Sequence, residues 1–438
     1  MNWSRSFIAR PRAGLLATLA IAGSLGSPVA GADSLAELFD GRLPNNFPFL
    51  NTAGTAATFS TAGFVDLTNP FHLPQGTNGR SCESCHLPQV GWSIRPIDVE
   101  LKFLLTQGND PIFNALDANN PNPDVSSLQA KRASYSMLRK GLFRRGGAVQ
   151  STFEFEIFAF DDPLGAGASP TQFAVFRRPL ATANFHIAKN IGWHDQNTNG
   201  SGLVRAGLIQ QADGNITGAQ GSPTRAPQAT LDSIADYELG LGFAQQFSFS
   251  AGLLTACGAK GGPQNLSAQQ PVSGRFDLFD AWIDLKPGSC GTKAGDRKRA
   301  QIARGQELFN RRDEANRSCN GCHDAVNNGS NIGGTLFNVR ASQVEFREPG
   351  MPLYTLRNKT TGELRQTTDP GRALRSGRWL DIDRFKTPSL RGAVARPPYF
   401  HNGIAANLTE VVRHYEDALG FHFEEDEREA LVAFLEAL

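Results

Sequence analysis

The sequence predicts a mainly α fold with two domains and long irregular loops. Three observations support this prediction. The chain has 438 residues, which is enough for two or three domains. A Cys-x-x-Cys-His pattern occurs twice, at 82–86 and 319–323, and apolar residues recur at helical spacing near the C-terminus. Gly 45 and Pro 25 together supply about one residue in six, which favours long connections over tight helical bundles.

Composition excludes several classes of protein. The chain is 40% hydrophobic and 19% charged, which excludes a disordered tail protein and a polytopic membrane protein. Lys+Arg 43 and Asp+Glu 42 leave a net charge of +1, without a basic stripe that could follow a phosphate backbone. We therefore expect no nucleic-acid partner.

Residues 1–32 have the pattern of a signal peptide. Arg5, Arg10 and Arg12 precede an apolar run at 13–22, and small residues at 30–32 provide a cleavage site. This run is too short to span a bilayer, and no later stretch approaches the roughly 20 apolar residues required. We expect a periplasmic chain with no membrane span after signal removal. An uncleaved N-terminal anchor is the alternative.

The two repeated motifs indicate the chemistry. They are Cys82-Glu83-Ser84-Cys85-His86 and Cys319-Asn320-Gly321-Cys322-His323. Cys-x-x-Cys-His is the attachment signature of c-type haem, in which both thiols form thioethers and the histidine binds the iron. The sequence thus predicts two covalently bound haem c groups, with His86 and His323 as iron ligands. A four-cysteine zinc site is the alternative, which the paired histidines and the export signal oppose.

The N-terminal haem c domain is predicted at 33–245, with short strands near 153–160. A connecting segment follows at 246–295 and contains the remaining two cysteines, Cys257 and Cys290. In an oxidising compartment an even pair is most simply a structural disulfide. A reactive pair is the alternative, although the Cys-x-x-Cys spacing is missing.

A C-terminal cytochrome c domain is predicted at 296–438. Asp296 is placed to cap a helix whose Ile302, Gly305 and Phe309 share one face ahead of the second motif. Leu431 begins an apolar repeat at i, i+3, i+4 and i+7 that predicts a closing helix. Both helices are typical of a cytochrome c fold.

Few residues are available as second iron ligands. Met137 and Met351 are the only thioethers outside the signal peptide, and no histidine occurs between His86 and His186. The first iron is therefore expected to keep a site open to a small molecule. Met137 or His186 reaching that iron remains the alternative.

A helix after Pro398 presents a candidate ligand for the second iron. Asn407 and Glu410 form a capping-box-like start, and Tyr415 shares the apolar face of the helix. His414 is turned about 100° away by helical geometry. An inward tyrosine is either a core phenol with a hydrogen-bond partner or a metal ligand, and periodicity does not separate the two.

Two C-terminal runs carry a family resemblance. Phe385-Lys386-Thr387-Pro388-Ser389-Leu390-Arg391 and Pro398-Tyr399-Phe400-His401-Asn402-Gly403 resemble the signatures of the di-haem cytochrome c peroxidase and MauG family. Gly392 stands where the family usually has Asn. The resemblance covers about 76–250 and 296–438. It implies that Tyr415, fourteen residues after His401, ligates the second haem, as in the MauG branch.

The resemblance also implies roles for other residues. Trp193 matches a tryptophan between the two haems, although an ordinary core tryptophan is the alternative. His401 is expected at the haem edge. Family members bind calcium between the domains largely through backbone oxygens, and the carbonyl of Pro398 is a candidate ligand.

The acid–base residue of the family is not matched. Past the tryptophan the family has a Glu-bearing segment, for which 231–246 is the best match, but Ala244 occupies the Glu position beside Gln245. Glu238 and Asp236 are the nearest acids, and both are out of register. Gln245 and Glu238 are therefore the catalytic candidates, and general acid–base help is worth about 10²–10⁴ in rate.

These observations predict a periplasmic di-haem oxidoreductase that uses hydrogen peroxide or oxygen at the first haem and passes electrons through the second. The expected partner is a small electron-donor protein, a cytochrome c or a cupredoxin, or a protein substrate for a MauG-like enzyme. The alternatives are an electron-transfer cytochrome without catalysis and an oxygenase similar to rubber-cleaving di-haem proteins.

Overall fold

A computed structural model of the chain describes residues 32–268 and 272–438. The predicted signal peptide lies outside these residues, apart from Ala32. Within the described ranges, no helix is long and apolar enough to cross a membrane.

The fold is mixed α/β, and the prediction of a mainly α fold was wrong. Helices account for 34% of the chain and strands for 17%, so neither type dominates. The described strands form five small antiparallel sheets. Most strands have only two to seven residues, and their partners are often distant in sequence, so alternation within one strand is a weak signal.

The helices surround these sheets. The α-helices are Ala32–Leu38, Pro96–Thr106, Leu128–Ser134, Ser136–Arg139, Val204–Gly214, Gln228–Leu239, Pro263–Ser267, Lys293–Asn310, Cys319–Cys322, Ala373–Ser376, Leu408–Leu419 and Glu425–Glu436. The strands are Arg42–Pro44, Phe49–Asn51, Gly54–Ser60, Phe64–Asp66, Phe143–Ala148, Phe155–Asp161, Gln172–Arg177, Leu241–Ser248, Gly252–Leu253, Leu336–Phe337, Leu353–Asn358, Leu364–Thr367 and Phe385–Lys386.

Two sheets connect distant parts of the chain. Gly54–Ser60 pairs with Leu241–Ser248, and Phe155–Asp161 pairs with Leu353–Asn358. The second pairing joins the predicted N-terminal and C-terminal haem domains through backbone hydrogen bonds. Strand Leu241–Ser248 also crosses the predicted boundary at 245. The division into domains stays a prediction.

Three helices form the core around the second motif. Lys293–Asn310 packs against Glu425–Glu436, and Leu408–Leu419 packs against the latter helix. The first helix begins earlier than predicted, because Thr292 rather than Asp296 caps it by accepting a hydrogen bond from the Gly295 amide. A side chain at Gly305 would lie 1.9 Å from the Ala430 carbonyl oxygen, so the two helices cross in close backbone contact.

The connecting segment contains the expected disulfide, between Cys257 and Cys290. Asp296 helps to organise this region, since its carboxylate accepts hydrogen bonds from the amides of Gly288 and Cys290 and pairs with Arg299. The disulfide and the start of the helix before the second motif are therefore tied together.

Candidate functional site

The second motif forms a single turn of helix. Cys319–Cys322 is followed directly by His323, and both thiols are free. The Nδ1 atom of His323 lies 2.5 Å from the carbonyl oxygen of Gly329, which accepts its proton. This hydrogen bond leaves the Nε2 lone pair available for a metal, as in most metal-ligating histidines.

The first motif forms a turn rather than a helix, but its histidine is held in a similar way. Cys82 and Cys85 are free thiols, and the Nδ1 atom of His86 lies 3.0 Å from the carbonyl oxygen of Trp92. Burial lowers the pKa of His86 and of His323 to about 4, so both imidazoles are neutral at pH 7. A neutral, oriented imidazole is the form that binds iron.

A cavity of about 440 Å³ lies against the second motif. The motif residues Cys319, Cys322 and His323 form part of its lining, and the rest of the wall is mostly apolar. Leu431 and Leu435 of the closing helix contribute to that wall. Its size and apolar lining are typical of a cofactor site.

Tyr415 reaches this cavity as the sequence predicts. Helix Leu408–Leu419 begins at the Asn407 cap, which accepts a hydrogen bond from the Glu410 amide, and it turns Tyr415 into the cavity lining. His414 points elsewhere, because its Nε2 donates to the carbonyl of Val339. Burial raises the pKa of Tyr415, so the free phenol is neutral.

Trp193 and His401 line the same cavity. The indole N–H of Trp193 donates to the carbonyl oxygen of Arg178 at 2.6 Å. His401 is buried, stacks on Phe385 with ring centroids 3.9 Å apart, and meets Trp193 edge-on at 6.1 Å. Structure therefore brings together His323, Tyr415, Trp193 and His401, four of the predicted site residues.

The cavity also extends toward the first motif. Ser93 and Leu180 line it, and Ser93 is bonded in sequence to Trp92, whose carbonyl orients His86. The hydroxyl of Ser93 donates a hydrogen bond to the carbonyl oxygen of Pro179, the residue before Leu180. The cavity beside the second motif thus reaches Ser93, the residue after Trp92. The carbonyl of Trp92 is the group that orients the imidazole of His86.

Among the cations that line the cavity, Arg178 and Lys386 are buried and Arg396 is partly buried, and none of the three was a predicted site residue. Burial lowers the pKa of Lys386 to about 8, and its Nζ donates to the carbonyl of Asn190. Lys386 belongs to the signature run quoted above, and this was the signal that could have identified it. Positive charge beside an apolar cavity suits a cofactor that carries carboxylates.

Glu238 and Gln245 lie outside this cavity lining. Glu238 is buried, burial raises its pKa well above the ordinary value, and its charge would act on Cys82 of the first motif. The amide side chain of Gln245 bonds to Asn51 and to the carbonyl of Phe247. Glu238 is therefore a buried acid near the first motif, whereas Gln245 is engaged within its sheet.

An arginine side chain contacts the turn at Pro398, where a calcium ligand is predicted. The carbonyl oxygens of Arg396 and Pro397, beside Pro398, accept hydrogen bonds from the buried guanidinium of Arg178 at 3.5 and 3.2 Å. The guanidinium of Arg178 therefore contacts the two carbonyls that precede Pro398, and calcium binding by the carbonyl of Pro398 stays a prediction. Across the described ranges, no group of three or more His, Cys, Asp or Glu side chains is arranged to hold a metal ion.

The alternative ligands lie elsewhere in the described chain. Met137 and Met351 share a buried apolar cluster with Leu142 and Phe176, and neither belongs to the cavity lining. His186 is largely buried, and burial lowers its pKa. These placements leave Tyr415 as the candidate that faces the second motif.

The residues of both motifs fit covalent haem. Their thiols are free, their imidazoles are neutral and oriented, and an apolar cavity with cationic side chains adjoins the second motif. No zinc cluster combines the two cysteine pairs among the residues described. The arrangement at each motif fits the attachment of haem c, and the presence of two haem groups stays a prediction.

Comparison with known proteins supports a relationship to the cytochrome-c peroxidases. The chain is 35% identical over 100 residues to cytochrome-c peroxidase IdrP2 of Denitromonas iodatirespirans, covering 21% of this chain and 25% of the relative. It is 38% identical over 69 residues to cytochrome-c peroxidase IdrP1 of Pseudomonas sp. (strain SCT), covering 13% and 18%. The chain thus matches a quarter or less of the length of these relatives. No family model matches it.

Proposed function

We propose that this chain is a periplasmic di-haem c oxidoreductase of the cytochrome c peroxidase type. Hydrogen peroxide would bind at the haem on His86, and electrons would arrive through the haem on His323. The observation that carries the proposal is the cavity that joins Tyr415 and the second motif to Ser93, next to the anchor of His86.

Cysteine and histidine side chains would hold the two cofactors. Cys82 and Cys85 would attach one haem, Cys319 and Cys322 the other, and the following histidines would bind iron. When bound, haem iron supplies one-electron redox chemistry and an axial position for a small oxidant. The backbone carbonyls of Trp92 and Gly329 hold the imidazoles in the tautomer that this ligation needs.

Residues at the second site would set its coordination and charge. Tyr415 faces the motif from the opposite helix and would supply the second axial ligand. A phenolate ligand favours higher oxidation states, which suits a site that stores oxidising equivalents. Lys386, Arg178 and Arg396 would compensate the negative charge of the porphyrin carboxylates inside an otherwise apolar wall.

Trp193 would couple the two sites. Its indole lines the cavity of the second motif, and its N–H donates to the carbonyl of Arg178. Arg178 comes two residues before Leu180, which borders the first motif. The hydrogen bond fixes the ring in one orientation. A rigid aromatic ring between two redox centres shortens the distance that each electron must travel.

Glu238 would handle protons at the first site. Burial raises the pKa of Glu238 well above its ordinary value, which favours the protonated form that a proton donor needs. The charge of Glu238 would raise the pKa of the Cys82 thiol, which places Glu238 near the first haem attachment site. The substrate side is therefore expected to depend on Glu238 rather than on Gln245, whose amide is occupied by Asn51 and Phe247.

The partner would be a small electron-donor protein, a cytochrome c or a cupredoxin. The partial similarity to cytochrome-c peroxidases favours this assignment over a MauG-like enzyme that oxidises a protein substrate. Tyr415 is the feature that would connect the chain to the MauG branch. Which partner donates electrons is settled by assaying turnover with each class of donor.

Peroxide titration of the oxidised holoprotein, followed by electron paramagnetic resonance, tests the proposal. We expect one high-spin ferric signal that peroxide removes and one low-spin signal. Trp193→Phe should slow electron transfer between the haems and leave both resting spectra unchanged. Trp379→Phe is the matched control, because that indole donates to Glu363 outside the cavity lining. Two low-spin signals that ignore peroxide would make the chain an electron carrier and refute the enzyme.

A further inference from the structure

An aromatic cluster surrounds the first motif and has no role in the mechanism above. It contains Phe71, His72, Trp92 and Tyr237 beside His86. The ring of Phe71 lies 6.5 Å from that of His86 and 5.6 Å from that of Tyr237. The Tyr237 ring lies 5.9 Å from that of Trp92 and 5.5 Å from that of His72. One ring therefore separates Tyr237 from the proposed iron ligand.

A hydrogen-bonded chain runs through this cluster. Nδ1 of His72 lies 2.8 Å from the carboxylate of Glu83, and its Nε2 lies 2.8 Å from the hydroxyl of Tyr237. Because a carboxylate accepts hydrogen bonds, Nδ1 carries the ring proton and Nε2 is left as the acceptor for the phenol. Glu83 belongs to the first motif, between its two cysteines. These hydrogen bonds therefore connect Tyr237 to the haem attachment turn.

We propose that Tyr237 is a redox-active tyrosine that exchanges one electron with the first haem and one proton with His72. When peroxide has oxidised that haem, Tyr237 gives it one electron. The O–H bond of the phenol breaks and a new N–H bond forms at Nε2 of His72. The products are a neutral tyrosyl radical and an imidazolium paired with the carboxylate of Glu83. One electron from the donor protein and the return of the proton restore the phenol.

Oxidation of Tyr237 requires a base in contact with its hydroxyl group. Burial raises the pKa of Tyr237 well above its ordinary value, so the phenol does not ionise before it is oxidised. The hydroxyls of Tyr135, Tyr354 and Tyr399 donate to backbone carbonyls, which do not take up a proton at neutral pH. Among the five tyrosines, Tyr237 is the one whose hydroxyl contacts an imidazole in the part of the chain described here.

Trp92 is a less suitable redox residue in the same cluster. Its indole N–H donates to the hydroxyl of Thr58 at 3.0 Å, and a hydroxyl does not accept the proton of an oxidised indole. Trp92 is also fully buried, whereas Tyr237 is partly exposed. Tyr237 is therefore the one of these two rings that solvent reaches.

This inference rests on the proposed peroxide reaction. Freeze-quenched electron paramagnetic resonance distinguishes failure of the inference from failure of that reaction. Oxidised holoprotein is mixed with one equivalent of hydrogen peroxide and frozen at increasing times. We expect a tyrosyl radical whose signal narrows when the protein contains ring-deuterated tyrosine. Deuteration requires no mutation, so this assignment does not depend on the folding of a variant.

Three variants locate the radical. Tyr237→Phe should abolish the tyrosyl signal, whereas Tyr135→Phe, the matched control with a carbonyl-bonded phenol, should retain it. His72→Gln keeps an acceptor but not a base, and it should slow radical formation by about 10²-fold, the scale of a positioned proton acceptor. The haem absorption spectrum of each variant should match that of the unmodified protein.

Each outcome decides a separate point. Oxidation of the first haem without a tyrosyl signal, or with a signal that survives in Tyr237→Phe, overturns the inference and leaves the proposed function intact. A tryptophanyl signal lost in Trp92→Phe also overturns it. Haem spectra that peroxide does not change refute the proposed function, and the inference falls with it.

Discussion

Replacing Gly305 with Ala tests the helix crossing that supports the second motif. Gly305 lies in Lys293–Asn310, where this helix crosses Glu425–Glu436. The new methyl group would lie 1.9 Å from the carbonyl oxygen of Ala430, 2.6 Å from its carbonyl carbon and 2.8 Å from Cβ of Phe434. Two of these three atoms belong to the backbone, so no side-chain rotation relieves the overlap.

The expected cost follows from two opposing effects. Alanine is favoured over glycine in a helix by about 1 kcal/mol, which would stabilise the variant. To restore ordinary contact, the methyl-to-oxygen distance must grow from 1.9 Å to at least 3.4 Å, and the helices must separate accordingly. Overpacking of this kind costs about 1–3 kcal/mol or more. Because two neighbouring turns of the interface move together, we expect an overpacking cost at the upper end of this range. With the helix preference of alanine subtracted, the net loss of unfolding free energy is about 1–2 kcal/mol.

Urea denaturation of the holoprotein measures this difference, followed by far-ultraviolet circular dichroism and by haem absorption. The matched control is Gly214→Ala, at the end of helix Val204–Gly214, where a methyl group would meet no atom within 4 Å. We expect Gly214→Ala to be neutral or stabilising and Gly305→Ala to lower the midpoint. Equal midpoints for the two variants would refute the close crossing.

Three further predictions concern separate parts of the molecule. The Cys257→Ser, Cys290→Ser double variant should lose about 3–4 kcal/mol of unfolding free energy, because the disulfide closes a loop of sequence separation 33; a denaturation midpoint unchanged under oxidising conditions would contradict this. Burial raises the pKa of Asp383 to about 6, so the folded state binds more protons than the unfolded state between about pH 4 and 6, and the contribution of Asp383 to stability falls as pH rises through that window. Asp383→Asn should therefore flatten the decline of the unfolding free energy over this range, and identical slopes for variant and parent would exclude the effect. Tyr415→Phe should alter the absorption and magnetic resonance spectra of one haem and spare the other, whereas two unchanged spectra would exclude Tyr415 as an iron ligand.

Local features of the chain were predictable where the cause itself is local. The two motifs, the Asn407 cap and the inward face of Tyr415 follow from the spacing of a few neighbouring residues, and the structure has the helix and its cap where the spacing indicates. The Cys257–Cys290 disulfide follows from the count of cysteines once four belong to the motifs. The start of the helix before the second motif was misplaced, since Thr292 and Asp296 both have capping side chains and only the packed loop selects Thr292.

The strand content and the charges of the cavity required the tertiary structure. The strand predicted near 153–160 is confirmed as Phe155–Asp161, but no pattern within it specifies its partner Leu353–Asn358, which is distant in sequence. The burial of Arg178 and Lys386 in one wall also depends on the fold, because their neighbours in the sequence do not determine it.

By itself, the sequence determined the chemistry for which the chain is equipped. The thiols and the imidazole of each motif lie on one turn, so neighbouring residues alone bring them together. Only the tertiary structure decided what surrounds them. The cavity beside the second motif, the hydrogen bond from Arg178 to the Pro397 carbonyl and the Glu83–His72–Tyr237 hydrogen bonds each depend on residues far apart in the sequence. Such contacts are set by long-range packing, in which burial outweighs the preference of any single segment.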